Sequence, residues 1–236
     1  MVRPHPRRPR VVANFASTLD GKIAPSSDFL AGPVVLSRKA ADHVRMRTLR
    51  ASADAILIGA GNLRSDDPDL ALAVAERARR RTSGLAEPMR IVVTRSGLGL
   101  SSAQAVFDPQ KGGTTIVAHT SAMTAAKREE LGARAELTCL GEAEVDVPAL
   151  LSWLYDARGV RELLCEGGGI LTEQLFRAQA VDELYLTLVP RILGGVGAPT
   201  LVEGRGFGMD EIPDGRLVQV DRAGDELFLR YQFAWP

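Results

Sequence analysis

The strongest constraint on the fold is a series of short, nearly unbroken apolar runs separated by stretches with helical spacing. Asp54–Ile58 reads DAILI, Met89–Thr94 reads MRIVVT, Thr114–Ala118 reads TTIVA, and Val160–Cys165 reads VRELLC. Short apolar runs of this kind suit strands buried on both faces, and such strands belong to parallel sheets. The segments between them carry helix signals. Ser37 is placed to cap a helix reaching Leu49, in which Ala40, Val44, Arg47 and Leu49 roughly follow helical spacing. Further helices are expected at Leu70–Arg81, with its arginines Arg77, Arg79, Arg80 and Arg81 solvated, at Ser121–Leu131, at Asp146–Ala157 with Pro148 in the first turn, and from Ile170 to about Gln179. Strand and helix alternating in this way predict a mostly parallel sheet with right-handed crossovers. Arg10–Phe15 and Glu136–Leu140 add short strands. The ending differs: Asp182–Val189 is a strand, and Arg216–Asp221 with Glu226–Phe233 form an antiparallel hairpin about Ala223-Gly224-Asp225. The expected fold class is α/β, a mostly parallel central sheet flanked by helices and finished by antiparallel strands.

A chain of 236 residues is long enough for one large domain, expected over residues 10–236. Residues 1–9, with Arg3, Arg7 and Arg8 among prolines, read as a disordered basic arm that lacks the apolar region of a signal peptide. Lysine plus arginine and aspartate plus glutamate each number 29, so no global field favours nucleic acid or an anionic membrane. Cys139 and Cys165 each fall in an apolar, strand-like run, as small buried thiols do. With no apolar run of transmembrane length, a cytoplasmic protein is expected.

Several stretches place chemistry-bearing residues at the ends of the expected strands. The Val160 run leads through Glu166 into Gly167-Gly168-Gly169 and then a helix. A strand feeding a glycine turn that opens a helix aims backbone N–H groups and the positive dipole end at one point, which suits a phosphate. A tight connection without a ligand fits the same residues, although three glycines in a row suggest close approach by some group. DAILI ends at Gly59-Ala60-Gly61-Asn62-Leu63-Arg64, where Arg64 occupies the sixth position, so the dinucleotide fingerprint G-x-G-x-x-G fails. What survives is a glycine turn at a strand's carboxyl end, where open α/β sheets bind ligands. Asp66-Asp67 before Pro68 fits an acid–base or metal role, or more simply a helix entry or turn. Thr94-Arg95-Ser96 suits the 2′-phosphate of NADPH, or else a solvent-exposed turn. No cysteine or histidine spacing suits a metal, and the zinc-deaminase pattern is absent.

Four landmarks in fixed order carry a resemblance. They are Thr18-Leu19-Asp20-Gly21-Lys22-Ile23; Leu49-Arg50-Ala51 leading to Asp54–Gly61 and Asp66-Asp67-Pro68; Glu166-Gly167-Gly168-Gly169; and Val181-Asp182-Glu183-Leu184 with Pro190 and Leu193-Gly194-Gly195. Over about Val11–Phe233 the chain resembles the pyrimidine reductase of riboflavin biosynthesis, the reductase half of the bifunctional deaminase/reductase, within the dihydrofolate-reductase-like superfamily. The resemblance implies NADPH-dependent reduction of a ribosylamino-pyrimidine 5′-phosphate to its ribitylamino form, with hydride passing to C1′ of the sugar and no metal. It implies a substrate side formed by Arg50, Asp67, Leu70 and Glu166, where the arginine fork suits a sugar phosphate. It places Asp66 near the nicotinamide as the catalytic carboxylate. The implied cofactor side comprises Ala16, Asn62, Asp66, Thr94, Arg95 and Ser96 with Gly167, Gly168, Gly169, Ile170, Leu171 and Thr172.

The chain departs from that family at Asn62, where many relatives have threonine, and at Leu72-Ala73-Val74, where several carry a basic residue. Residues 26–35 lack a serine-x-tryptophan pattern common in the bifunctional enzymes. These changes keep open a reductase of the same fold acting on another pterin-like or pyrimidine substrate, or a nucleotide-binding module without catalysis. The family and the late aromatic residues Phe228, Tyr231, Phe233 and Trp235 imply a homodimer, with core packing the commoner role for such residues.

Overall fold

The apolar runs become strands because each can bury both faces in one sheet. The structure, a computed structural model, describes residues 7–25, 37 and 40–235. Among the described residues nine strands share a sheet: β1 Arg10–Thr18, β2 Ala55–Gly59, β3 Met89–Val93, β4 Thr115–His119, β5 Glu136–Cys139, β6 Glu162–Cys165, β7 Val181–Val189, β8 Gly215–Ala223 and β9 Glu226–Phe233. Their order is β5-β4-β3-β2-β6-β1-β7-β9-β8. Every pairing from β5 to β7 is parallel; β9 runs antiparallel to β7, and β8 antiparallel to β9. The helices are α1 Ala40–Ser52, α2 Ala60–Asp66, α3 Val74–Thr82, α4 Ala125–Gly132, α5 Val147–Ala157 and α6 Gly169–Arg177. None is long and apolar enough to cross a membrane.

Alternation along each strand divides the core into two layers. Ala55, Leu57, Ile91 and Leu163 meet Leu150, Leu154, Leu171 and Leu175 of α5 and α6 on one face. Ile56, Ile58, Val92 and Leu164 meet Ala60 and Leu63 of α2 and Leu131 of α4 on the other. Adjacent strands β2 and β6 therefore send their helices to opposite faces. This is the topological switch point at which open α/β sheets take ligands.

Several local expectations are revised. Gly59-Ala60-Gly61 does not form a turn; Gly59, extended at φ −81° and ψ 147°, leads directly into α2. The aspartate pair therefore ends a helix and does not start one: Asp67 is left-handed at φ 42°. Leu70 is also left-handed at φ 53°, so the next helix begins at Val74 and not at Leu70. Arg80 is buried rather than solvated. Its guanidinium donates to the carbonyls of Ala51, Ala53 and Ala86 at 2.7–3.0 Å, binding α3 to the end of α1. Cys139 is exposed, because β5 is the edge strand, whereas Cys165 is buried and its thiol is pushed up to about 12 by that burial. At the amino terminus Arg8 is already anchored, donating to both carboxylate oxygens of Asp182 at 2.7 and 2.9 Å. The rest of the basic arm as far as Pro6, and the loop over residues 26–36 with its missing pattern, lie outside the described residues. Ser37 is described, and its hydroxyl donates to Glu226 at 2.6 Å.

Candidate active site

The carboxyl ends of β3, β2, β6 and β1 lie side by side, spanning three strand spacings, about 14 Å. Glu166 leaves β6 with its N–H donating to the Leu57 carbonyl at 3.0 Å, and the Gly59 N–H donates to Gly167 O at 2.7 Å. These bonds fix the glycine turn against β2. Gly167 has φ 101°, which only glycine adopts at low cost. The close approach implied by three glycines comes from the protein itself. A Cβ on Gly168 would stand 2.4 Å from Asn62 Oδ1, and one on Gly169 would stand 2.6 Å from the Thr200 carbonyl. The start of α6 has no side-chain cap on its first-turn N–H groups.

Arg50, in the last turn of α1, meets Glu166 in a bidentate pair, Nε to Oε1 and Nη2 to Oε2, both at 2.7 Å. Both side chains are nearly buried, at 13% and 11% exposure, so the pair is held in low dielectric and fixes the end of α1 over the β6 exit. Burial opposes the arginine's charge, but the adjacent carboxylate outweighs it and raises the Arg50 pKa. The fork expected to grip a sugar phosphate is thus occupied by Glu166. The same face of α1 carries Asp42 and Arg45. Thr187 of β7 donates to Asp42 at 2.5 Å and accepts from Arg45, whose guanidinium lies 5.0 Å from the Phe228 ring centre and 5.8 Å from that of Tyr185. The layer between α1 and the sheet is therefore polar. Sequence reasoning missed Asp42 and Arg45; their spacing at i and i+3, on the side that should be apolar, was the available signal.

Asn62 and Asp66 stand one turn apart on α2, on one helix face. Asn62 Nδ2 reaches the Glu166 carbonyl at 3.4 Å. Half-buried Asp66 has its carboxyl pKa raised by burial, partly opposed by the Ser65 hydroxyl. Asp67 diverges and accepts from the Ala105 N–H at 3.0 Å. The Leu70 side chain is in the core, leaving only its main chain for a ligand. Leu171 is likewise buried, and Thr172 is a correction to the cofactor set. Its N–H and hydroxyl both donate to the Gly168 carbonyl, at 2.9 and 3.0 Å, and no part of it is exposed. Ile170 is exposed beside the turn. Half-buried Ala16 lies on β1 opposite Thr187. At the end of β3, Thr94 is buried and accepts from Gly97 N–H at 3.0 Å, Ser96 is half-buried, and Arg95 is exposed with no carboxylate in ion-pair range among the described residues. Among the described residues no three metal-ligating side chains come together.

The sequence model of the RibD C-terminal domain matches residues 9–229. The chain belongs to this family. A relative from Archaeoglobus fulgidus, a 2,5-diamino-6-ribosylamino-4(3H)-pyrimidinone 5′-phosphate reductase, is 32% identical over 96% of this chain and 99% of its own. The fold matches a pyrimidine reductase-like protein from Corynebacterium diphtheriae with a TM-score of 0.78 and 18% identity, covering 97% of this chain and 93% of that one. It also matches a deaminase/reductase from Thermotoga maritima with a TM-score of 0.73 and 23% identity; there the match covers 97% of this chain but only 57% of that longer one. In this RibD C-terminal domain the first landmark meets Leu193-Gly194 of the fourth, and the second meets the third at the glycine turn, whereas Val181–Leu184 opens β7 at the opposite end of the sheet. Asp20 accepts from the Leu193 and Gly194 N–H groups at 3.1 and 2.7 Å, and the Thr18 hydroxyl with those two amides holds its carboxyl down to about 2. Glu203 N–H closes on Gly169 O at 3.1 Å, and Lys22 Nζ on Ala198 O at 2.9 Å.

Proposed function

We propose that the chain is an NADPH-dependent reductase that converts a ribosylamino-pyrimidinone 5′-phosphate to the ribitylamino compound in riboflavin biosynthesis. The observation that carries this is the Arg50–Glu166 pair set beside an uncapped helix start at the switch point, in a chain alike over nearly its whole length to a pyrimidinone phosphate reductase. The 2,5-diamino substrate of that relative is the preferred one.

The donors present fit a dinucleotide phosphate. The α6 N–H groups suit the pyrophosphate, and exposed Arg95 with Ser96 suits the 2′-phosphate, where an acidic residue would favour NADH. When bound, NADPH supplies the hydride. Ala16 and Asn62 line the cofactor side; Asp67 and the Leu70 main chain border the substrate side. Arg50 and Glu166 hold the substrate side rigid, so that donor and acceptor carbons are brought together with little reorganisation. The overall reduction consumes one proton, and Asp66, with its raised pKa, is the carboxyl able to retain one nearer neutrality.

The test is NADPH oxidation with the diamino-pyrimidinone phosphate, its deaminated counterpart and dihydrofolate side by side. Turnover of the first is expected; turnover of dihydrofolate alone would move the chain to another substrate, and no NADPH binding would exclude all of these readings. We place the protein in the cytoplasm and propose a homodimer. Phe228 is buried, and Phe233 and Trp235 pack on Phe176, while Tyr231, Phe233 and Trp235 each stay partly exposed. Exposed Leu217 and Val220 on edge strand β8 offer an alternative, and a one-chain mass by light scattering would refute the dimer.

A further inference from the structure

Asn14 carries an unmet hydrogen-bonding group inside the polar layer under α1. The β1–β6 register pairs Val12 with Leu164 and Ala13 with Cys165, which brings Asn14 level with Glu166 one residue further on. Across β1's other edge Asn14 pairs with Tyr185. Val12 and Leu164 both enter the core layer that also holds Leu49 and Ala53 of the α1 end, and alternation puts Asn14 and Glu166 on that same face. The Asn14 Oδ1 atom is shut off from solvent and has no hydrogen-bond partner. Its charged neighbours leave it unmet: the Arg50 fork is spent on Glu166, and Arg45 is turned to Thr187 through Nη2, with its own buried Nε also unpartnered. A leucine would fill the same space without an orphaned acceptor, so the carboxamide is costly to the free protein and is explained if a ligand meets it.

We propose that Asn14 contacts the substrate, its carboxamide turning out of the closed position it holds in the free protein so that its oxygen accepts a hydrogen bond from an N–H on the amino-bearing edge of the pyrimidine. This deepens, and rests on, the reductase reading above. Asn14 and Glu166 would then present two acceptors side by side, which suits a heterocycle rich in N–H donors and disfavours one presenting only carbonyl oxygens.

The experiment compares wild type with Asn14→Leu, a near-isosteric change. Three quantities are measured: kcat and KM for the diamino-pyrimidinone phosphate, the NADPH dissociation constant by fluorescence titration, and the melting temperature. A lost hydrogen bond at a closed site should lower kcat/KM about tenfold. NADPH affinity should stay within about twofold, and the melting temperature should hold or rise because an unmet acceptor has been removed. An unchanged kcat/KM would overturn the proposal. A fall in melting temperature together with weakened NADPH would also overturn it, since Asn14 would then be structural. Wild-type protein inert towards every pyrimidine tested is a separate result, visible before any variant is made, and would overturn the reductase reading itself.

Discussion

Neighbouring glycines in the turn face different obstacles, and this separates binding from stability. The obstacle at Gly168 is the end of a flexible side chain, Asn62, whereas at Gly169 the Thr200 main-chain carbonyl stands in the way together with the Glu203 side chain. Gly168→Ala should therefore fold with nearly normal stability while pushing Asn62 aside and weakening NADPH. Gly169→Ala should cost about 1–3 kcal/mol through overpacking against backbone that cannot yield. Paired thermal melts and NADPH titrations check this; equal losses of stability in both variants would show that Asn62 is as fixed as the backbone. At this scale the sequence was informative about residue type but not about cause. Three glycines pointed to close approach, and the groups approaching, Asn62, Phe15 and Thr200, lie far away in the chain. Glu166 and Arg50 are 116 positions apart, so no local pattern could pair them.

Strands were legible from their residue pattern even where exposed, as in β5 and β8, whereas short helices were harder to read. β2 and β3 were evident because both faces pack, giving apolar runs broken only by Arg90 in β3. α1 was found, but the role read for it was too simple. It has no fully buried residue, and the side it turns to the sheet carries Asp42, Arg45 and Arg50. α2 was missed because Gly59 and Gly61 read as breakers, while Ala60 and Leu63 supply enough burial to hold a short helix. Charge also joins elements beyond the site. Glu183 of β7 is buried and accepts from Arg230 and Gln232 of β9, with Arg10 of β1 at 2.8 Å. Burial would raise its pKa, but these partners prevail and hold it at about 2, below the ordinary 4.5. A carboxylate with a depressed folded-state pKa stabilises fully above the unfolded value and loses that contribution as pH falls towards the folded one. The melting temperature should thus decline between about pH 4.5 and 2, and Glu183→Gln should be less stable at neutral pH with a flatter decline. A variant whose acid profile parallels wild type would show that the strand clamp does not control this window.

Across the whole molecule, motifs scattered from Thr18 to Gly195 are bound to one rim of the sheet, all but Val181–Leu184, which starts β7 at the other. Asp20 ties the first to the last, Gly59 ties β2 to the glycine turn, and Arg50 ties α1 to the β6 exit. The parallel sheet explains this convergence, because every parallel strand delivers its following residues to the same edge. The central claim is that this rim holds a nicotinamide donor and a sugar acceptor together. Its most direct test is to supply NADPH deuterated at the transferable position with the diamino-pyrimidinone phosphate and to analyse the product by mass spectrometry and NMR. The account predicts one deuterium at C1′ of a ribitylamino product. A product without deuterium, or with it elsewhere, would contradict direct hydride transfer at this site.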